Sequence, residues 1–264
     1  EIRLSLVGSE MCIRDRYNMI FTCKTTNLNK AIQTVQRAIS SKPSTPIFSG
    51  IHLIADNNIL EIQAMDLNMA IACSIEAEIQ EKGEIVVSAK HFSELMRKLP
   101  GENVTIVKNK EEKTINVQSD KSDFQLLLMN EDDYPKFPEF NADKQIVLED
   151  EKIKELIKKT IFACSTDEAR PLFTGILVEL QDGKITFVGT NTHRLSIKTM
   201  EQESSEAMSM IIPSRVLSEI ARNLTSELPQ EVKLSLLNNQ IMVQIDKVVI
   251  VSRLIEGKFP DYRR

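Results

Sequence analysis

The residues of this chain best placed to do chemistry are basic ones at fixed spacing. Lys90 and Arg97 stand seven apart, as do Arg215 and Arg222. Seven residues is about two helical turns, so each pair lies on one side of its helix. Catalysis is not signalled in the same way. The sequence holds no GxSxG, P-loop, GxGxxG or HExxH pattern, and no carboxylate pair stands out as acid and base. An enzyme would instead need a pocket of titratable groups with opposed pKa values. His52, His91 and His193 have no metal-ligand spacing, and neither do Cys12, Cys23, Cys73 and Cys164. No metal and no cofactor is therefore expected, and the cysteines read as reduced thiols of a cytoplasmic protein.

The elements that must hold these cations follow from hydrophobic periodicity. Four helices are predicted, over 27–39, 88–99, 151–162 and 214–224. Each places apolar residues at i, i+3, i+4 and then i+7 or i+8: Leu28, Ala31, Ile32, Val35 and Ile39 in the first, and Phe92, Leu95, Met96 and Leu99 in the second. The third and fourth place Ile153, Leu156, Ile157 and Ile161, then Leu217, Ile220, Ala221 and Leu224. Burying such a face yields roughly 1.5 to 3 kcal/mol per large side chain, so packing decides which side turns inward. Lys30, Arg37, Lys154 and Lys158 join the two basic pairs on the outer faces. The four segments carry +2, +2, +2 and +1 against a net −5 for the whole chain, leaving −12 on the remainder. An acidic body with basic helices repels nucleic acid from one surface and attracts it to another.

Short strands fill the intervals, among them 47–55 and 172–180, giving the order strand, helix, three strands, four times over. Asp150 is the predicted N-cap of the third helix. The acidic, proline-bearing stretch 130–141 reads as a solvated linker between domains. Residues 1–18 lack helical or strand periodicity and look like a non-native, disordered leader, with Met19 the expected start. No apolar run approaches the length of a membrane span. Residues 28–99 align with 153–224 without a gap. Pro46, Phe48, Gly50 and Ile51 match Pro171, Phe173, Gly175 and Ile176, while Ser93, Glu94, Arg97 and Leu99 match Ser218, Glu219, Arg222 and Leu224. This is a duplicated domain, with boundaries expected at 19–138 and 139–264.

Five motifs in order, PIFSGI at Pro46, AMDL at Ala64, PLFTGI at Pro171, TNTHRL at Thr190 and EGKFPDYRR at Glu256, resemble the bacterial DNA polymerase III beta subunit family, the replicative sliding clamps. The resemblance runs from Met19 to Arg264. It implies an α+β fold of duplicated clamp domains, each of two βαβββ units, with sheets outside and helices lining the inner face. It also implies a non-catalytic processivity factor that tethers polymerase to duplex DNA of any sequence. Three domains per subunit and a head-to-tail homodimer ring belong to the same pattern. The third domain is expected to be absent here, so that this chain would not close a ring.

The resemblance places Lys42, Lys90, Arg170 and Arg215 at DNA-facing positions, and helical geometry adds Lys30, Arg37, Arg97 and Arg222. It also implies a groove for short apolar peptides of the polymerase III catalytic subunit and the clamp loader. The groove positions are Phe173, Thr190, Thr192, His193, Arg194, Leu195 and Pro260. The family commonly has Asp-Gly where this chain has Asn191 and Thr192. Asn suits a turn, but Thr lacks glycine's freedom at positive φ. A duplicated saddle binding DNA without encircling it is the competing reading. Such proteins carry their basic and wedging residues on the sheet, whereas here the cations fall on helices.

Overall fold

The computed structural model describes residues 17–109, 112–138, 144–203, 207–224 and 229–263. The chain divides into two compact units, Glu1–Phe137 and Pro138–Arg264.

The first unit runs β1 (Tyr17–Lys24), α1 (Thr25–Val35), β2 (Gly50–Asp56), β3 (Ile59–Met65), β4 (Met69–Glu76) and β5 (Glu78–Glu81). It continues through β6 (Gly83–Ser88), α2 (Ala89–Met96), β7 (Asn103–Asn109), β8 (Thr114–Ser119) and β9 (Ser122–Met129). The second unit repeats the plan as β10 (Lys144–Glu149), α3 (Asp150–Thr160), β11 (Gly175–Gln181), β12 (Lys184–Thr190) and β13 (Leu195–Glu201). Its second half is β14 (Met208–Pro213), α4 (Ser214–Asn223), β15 (Glu231–Leu237), β16 (Gln240–Ile245) and β17 (Val248–Arg253). β5, which pairs with β1, has no counterpart among the described strands of the second unit, so the first half of the first unit carries four strands after its helix and not the expected three.

Pairing exchanges the leading strands of the two halves. β1 opens the first half yet pairs with β7 of the second, while β6 opens the second half and pairs with β2 of the first. The second unit does the same, with β10 on β15 and β14 on β11. All these pairings are antiparallel. The hairpin turns bear their sequence signature: Asn57, Asn58, Asp120, Asp182, Asn238 and Asp246 all take positive φ, which Asn and Asp tolerate. Thr192, at φ 77°, is the one described non-glycine residue at positive φ that is neither Asn nor Asp.

The helices pack on the strands through the predicted faces, with shorter bounds. Leu28, Ala31, Ile32 and Val35 are buried in α1, and Ile153, Leu156 and Ile157 in α3. In α2 the helix ends at Met96, so Leu95 and Leu99 are only half-buried, as are Ala221 and Ile161 elsewhere. Within the first unit α1 packs beside α2, and within the second α3 packs beside α4.

Four expectations need correction. Asp150 is not the N-cap: α3 begins at Asp150 itself, whose carboxylate bonds Lys154 Nζ at 3.1 Å while Glu149 takes the cap position. The PIFS and PLFT segments form 3-10 turns rather than strand starts, because Pro46 and Pro171 stand at their first positions with φ preset for a turn. The stretch from Glu131 is not merely solvated: Lys108 Nζ reaches Glu131 at 2.7 Å, and Tyr134 is buried against His52 with ring centroids 5.1 Å apart. Finally, β1 begins at Tyr17, which pairs with Asn109, so two residues assigned to the leader belong to the sheet. Residues 1–16 of that leader lie outside the described residues. Among the described residues, no helix is long and apolar enough to cross a membrane.

Candidate functional site

Two sets of residues were singled out, and the second unit builds the apolar set. Its sheet β13-β12-β11-β14 has one face on α3 and one turned away from it. Alternation along the strands puts Leu195, Ile197 and Thr199 of β13 on the outer face with Thr190, Val188 and Thr186 of β12. Leu177 of β11 and Ile211 of β14 continue that face. Chain from Leu254 onward folds back over part of it. Phe259, Tyr262, Ile255 and Leu172 pack on the buried cluster Leu177, Val188 and Ile211.

A latch holds this tail in place. Tyr262 donates its hydroxyl hydrogen to Glu179 Oε2, Arg263 Nη2 reaches the same oxygen at 2.8 Å, and the guanidinium lies 4.9 Å from the Tyr262 ring centroid. Burial, followed by the neighbouring Glu179 carboxylate, raises the Tyr262 pKa. A cavity of about 960 Å³ opens between tail and sheet, lined among others by Leu177, Met210, Ile211, Pro260 and Tyr262. Beyond the tail, Leu195 remains 49% exposed and Ile197 46%, which is unusual exposure for two large apolar side chains on one strand face.

The turn from β12 to β13 carries the central motif. The Thr190 hydroxyl donates to the Arg194 carbonyl at 2.8 Å and accepts from Thr192 N at 3.1 Å. Asn191 Oδ1 accepts from His193 N at 3.1 Å and Arg194 N at 3.0 Å. The residue expected to disturb the turn, Thr192, is thus bent into the conformation glycine would adopt. The remaining positions lie in the 3-10 turn Pro171–Thr174 and in the tail. Ser165 N donates to the Phe173 carbonyl at 2.8 Å, and Ser165 follows Cys164. Burial pushes the Cys164 thiol up to about 11, and the nearby Arg194 charge acts in the opposite direction. On the other side, Leu172 packs with the tail that bears Pro260. Phe173, Thr190, Arg194, Leu195 and Pro260 all lie in the second unit, and Thr192 and His193 form the exposed tip of the turn. Ile197 and the Glu179 latch were missed by sequence reasoning. The strict alternation of β13 signalled Ile197, but such alternation ordinarily marks a buried face.

The basic set divides by pairing. Lys30, Lys42, Lys90 and Arg97 are exposed, and their side chains form no ion pair among the described residues. Lys30 lies on α1, and Lys90 and Arg97 on α2 and its C-cap. Arg37 is half-buried in the 3-10 turn that extends α1. In the second unit Arg170 and Arg222 are tied to acids. Arg170 Nε lies 3.2 Å from Asp167 Oδ2, and Arg222 Nη1 lies 2.5 Å from Oε1 of Glu219, a carboxylate only 5% exposed. Arg215 stands exposed on α4. The duplicated glutamates thus differ: Glu94 is exposed, whereas Glu219 is buried and engages the helix's own arginine.

Residues 19–138 match the DNA polymerase III beta subunit N-terminal domain, and residues 147–261 match its central domain. The beta sliding clamp of Staphylococcus epidermidis is 31% identical over 93% of this chain and 67% of its own length. Among solved structures, the Bacillus subtilis DNA polymerase sliding clamp superposes with a TM-score of 0.87 at 27% identity, covering 92% of this chain and 66% of that one. A Bartonella birtlesii sliding clamp bound to griselimycin gives 0.85 at 29% identity, covering 93% and 67%. The chain belongs to the DNA polymerase III beta subunit family, the replicative sliding clamps. It spans about two thirds of the length of these relatives.

Proposed function

We propose that the chain serves as a non-catalytic processivity factor. The free cations Lys30, Lys90 and Arg97 hold duplex DNA by its phosphates, and the apolar rim of the second unit docks short peptides of the polymerase and the clamp loader. The observation that carries the DNA half is the presence of exposed cations without ion pairs on two neighbouring helices of an otherwise acidic chain. Phosphate attraction of this kind is independent of sequence and weakens with salt, as a tether that must travel requires. Lys42 and Arg37 of the first unit, and Arg170, Arg215 and Arg222 of the second, supply further phosphate contacts, Arg170 and Arg222 by exchanging an acid for a phosphate. The griselimycin-bound relative supports the peptide half, with Phe173, Thr190, Thr192, His193, Arg194, Leu195 and Pro260 as its lining. In this reading the complete protein closes as a head-to-tail homodimer around DNA in the cytoplasm.

The test is fluorescence anisotropy of labelled duplexes of unrelated sequence across a salt series. Binding is expected to be equal for all sequences and to fall linearly with salt on logarithmic axes. Lys90→Ala should lower the slope by about one and weaken every duplex alike. Strong preference for one duplex, or a slope unchanged in Lys90→Ala and in Arg97→Ala, would refute it.

A further inference from the structure

The turn between β12 and β13 is held by side chains whose reach ends within it. Asn191 Oδ1 takes two successive backbone N–H groups, those of His193 and Arg194. The Thr190 hydroxyl bridges Thr192 N and the Arg194 carbonyl. Asn191 N also donates to the Arg194 carbonyl at 3.4 Å. These bonds fix the peptide planes on both sides of Thr192 and hold it at φ 77°, a region that a β-branched residue avoids when free. Leu195 follows directly, half exposed on the rim.

We propose that Asn191 and Thr190 are positioning residues for ligand capture. Their oxygens hold the turn in its glycine-like shape, so that Arg194 and Leu195 are preset for a docked apolar peptide and pay no ordering cost when it arrives. The proposal rests on the peptide-docking reading above and assigns these side chains a role within it. Because the turn is exposed, water can satisfy its N–H groups once Asn191 is removed. Stability therefore changes little, whereas affinity depends on the geometry.

Griselimycin serves as the probe, titrated calorimetrically into the full chain, with thermal unfolding recorded for each variant. Asn191→Ala is expected to weaken binding about tenfold, equivalent to about 1.4 kcal/mol, with its melting temperature close to that of the parent. Asn191→Asp, whose carboxylate accepts the same two N–H groups, should restore parental affinity. Thr190→Val, which keeps the shape and loses the hydroxyl, should also weaken binding, and because Thr190 is itself assigned to the groove lining it counts for the inference only together with Asn191→Ala. Parental affinity in both Asn191→Ala and Thr190→Val, together with lost binding in Leu195→Asp, would overturn this inference and leave the docking reading intact. No binding by the parent, or undiminished binding in Leu195→Asp, would overturn both.

Discussion

Thr192 occupies a backbone region that costs a non-glycine residue about 1 to 3 kcal/mol. It remains there because Thr190 and Asn191 bind the surrounding backbone. Thr192→Gly removes that strain and adds the larger conformational entropy of an unfolded glycine, which costs about 0.5 to 1 kcal/mol. The net expectation is a gain of about 1 kcal/mol in unfolding free energy, read from urea denaturation followed by circular dichroism. The motif TNTHRL marks this turn plainly in the sequence, and the Thr at a glycine position marks a conflict. Which of the two prevails depends on two hydrogen-bonding oxygens, and their direction is not encoded in residue type alone. Glu219 was obscure for a similar reason. Its repeat partner Glu94 is an ordinary surface acid, and only packing shows that Glu219 is buried beside Arg222.

At the scale of elements, the paired segments Pro46 to Ile51 and Pro171 to Ile176 show what the duplication preserves. Both make a 3-10 turn and then enter a strand at a glycine. A Cβ at Gly50 would stand 2.8 Å from Val86 Cγ1 and 3.0 Å from the Ile47 carbonyl oxygen. One at Gly175 would stand 2.6 Å from Ile255 Cδ1 and 2.8 Å from Ile211 Cγ2. Both glycines let a neighbouring strand approach closely. Gly50→Ala and Gly175→Ala should each cost about 1 to 3 kcal/mol, measured by chemical denaturation. Gly175→Ala should in addition loosen the tail, because Ile255 must give way.

The start of α3 gives a prediction in pH. The hydrogen bond from Lys154 holds the Asp150 carboxyl below the usual carboxylate range, despite an opposing effect from burial. Its folded-state pKa therefore lies below its unfolded one. The stabilisation is fully present above the ordinary carboxylate value of about 4 and is lost as pH falls through the lowered folded-state value. Lys154→Met should flatten the dependence of unfolding free energy on pH across that acidic window and leave it parallel to the parent above it. Helices and strands such as α3 and β3 were legible because their apolar spacing is long and regular. Their ends were not, since a first-turn aspartate and an N-cap aspartate look alike until the backbone is traced.

On the scale of the whole molecule, the repeat was visible as aligned motifs, but the pairing of its strands was not. Nothing in the order strand, helix, three strands tells β1 to join β7 of the other half on one edge while β5 of its own half takes the other. Long-range pairing is settled by which faces must be covered, and both arrangements use the same alternation of side chains. Charge segregation, by contrast, was readable directly, because the surplus on the helices is a count of residue types.

The strand exchange makes the two halves of a domain hostage to each other. A segment ending at residue 82 would keep β1 without β7 and β2 without β6, leaving two long ladders of backbone groups seeking partners. Expressed alone, it should fold only by clasping a second molecule of itself in the position its sister half normally fills, giving a concentration-dependent dimer in analytical ultracentrifugation.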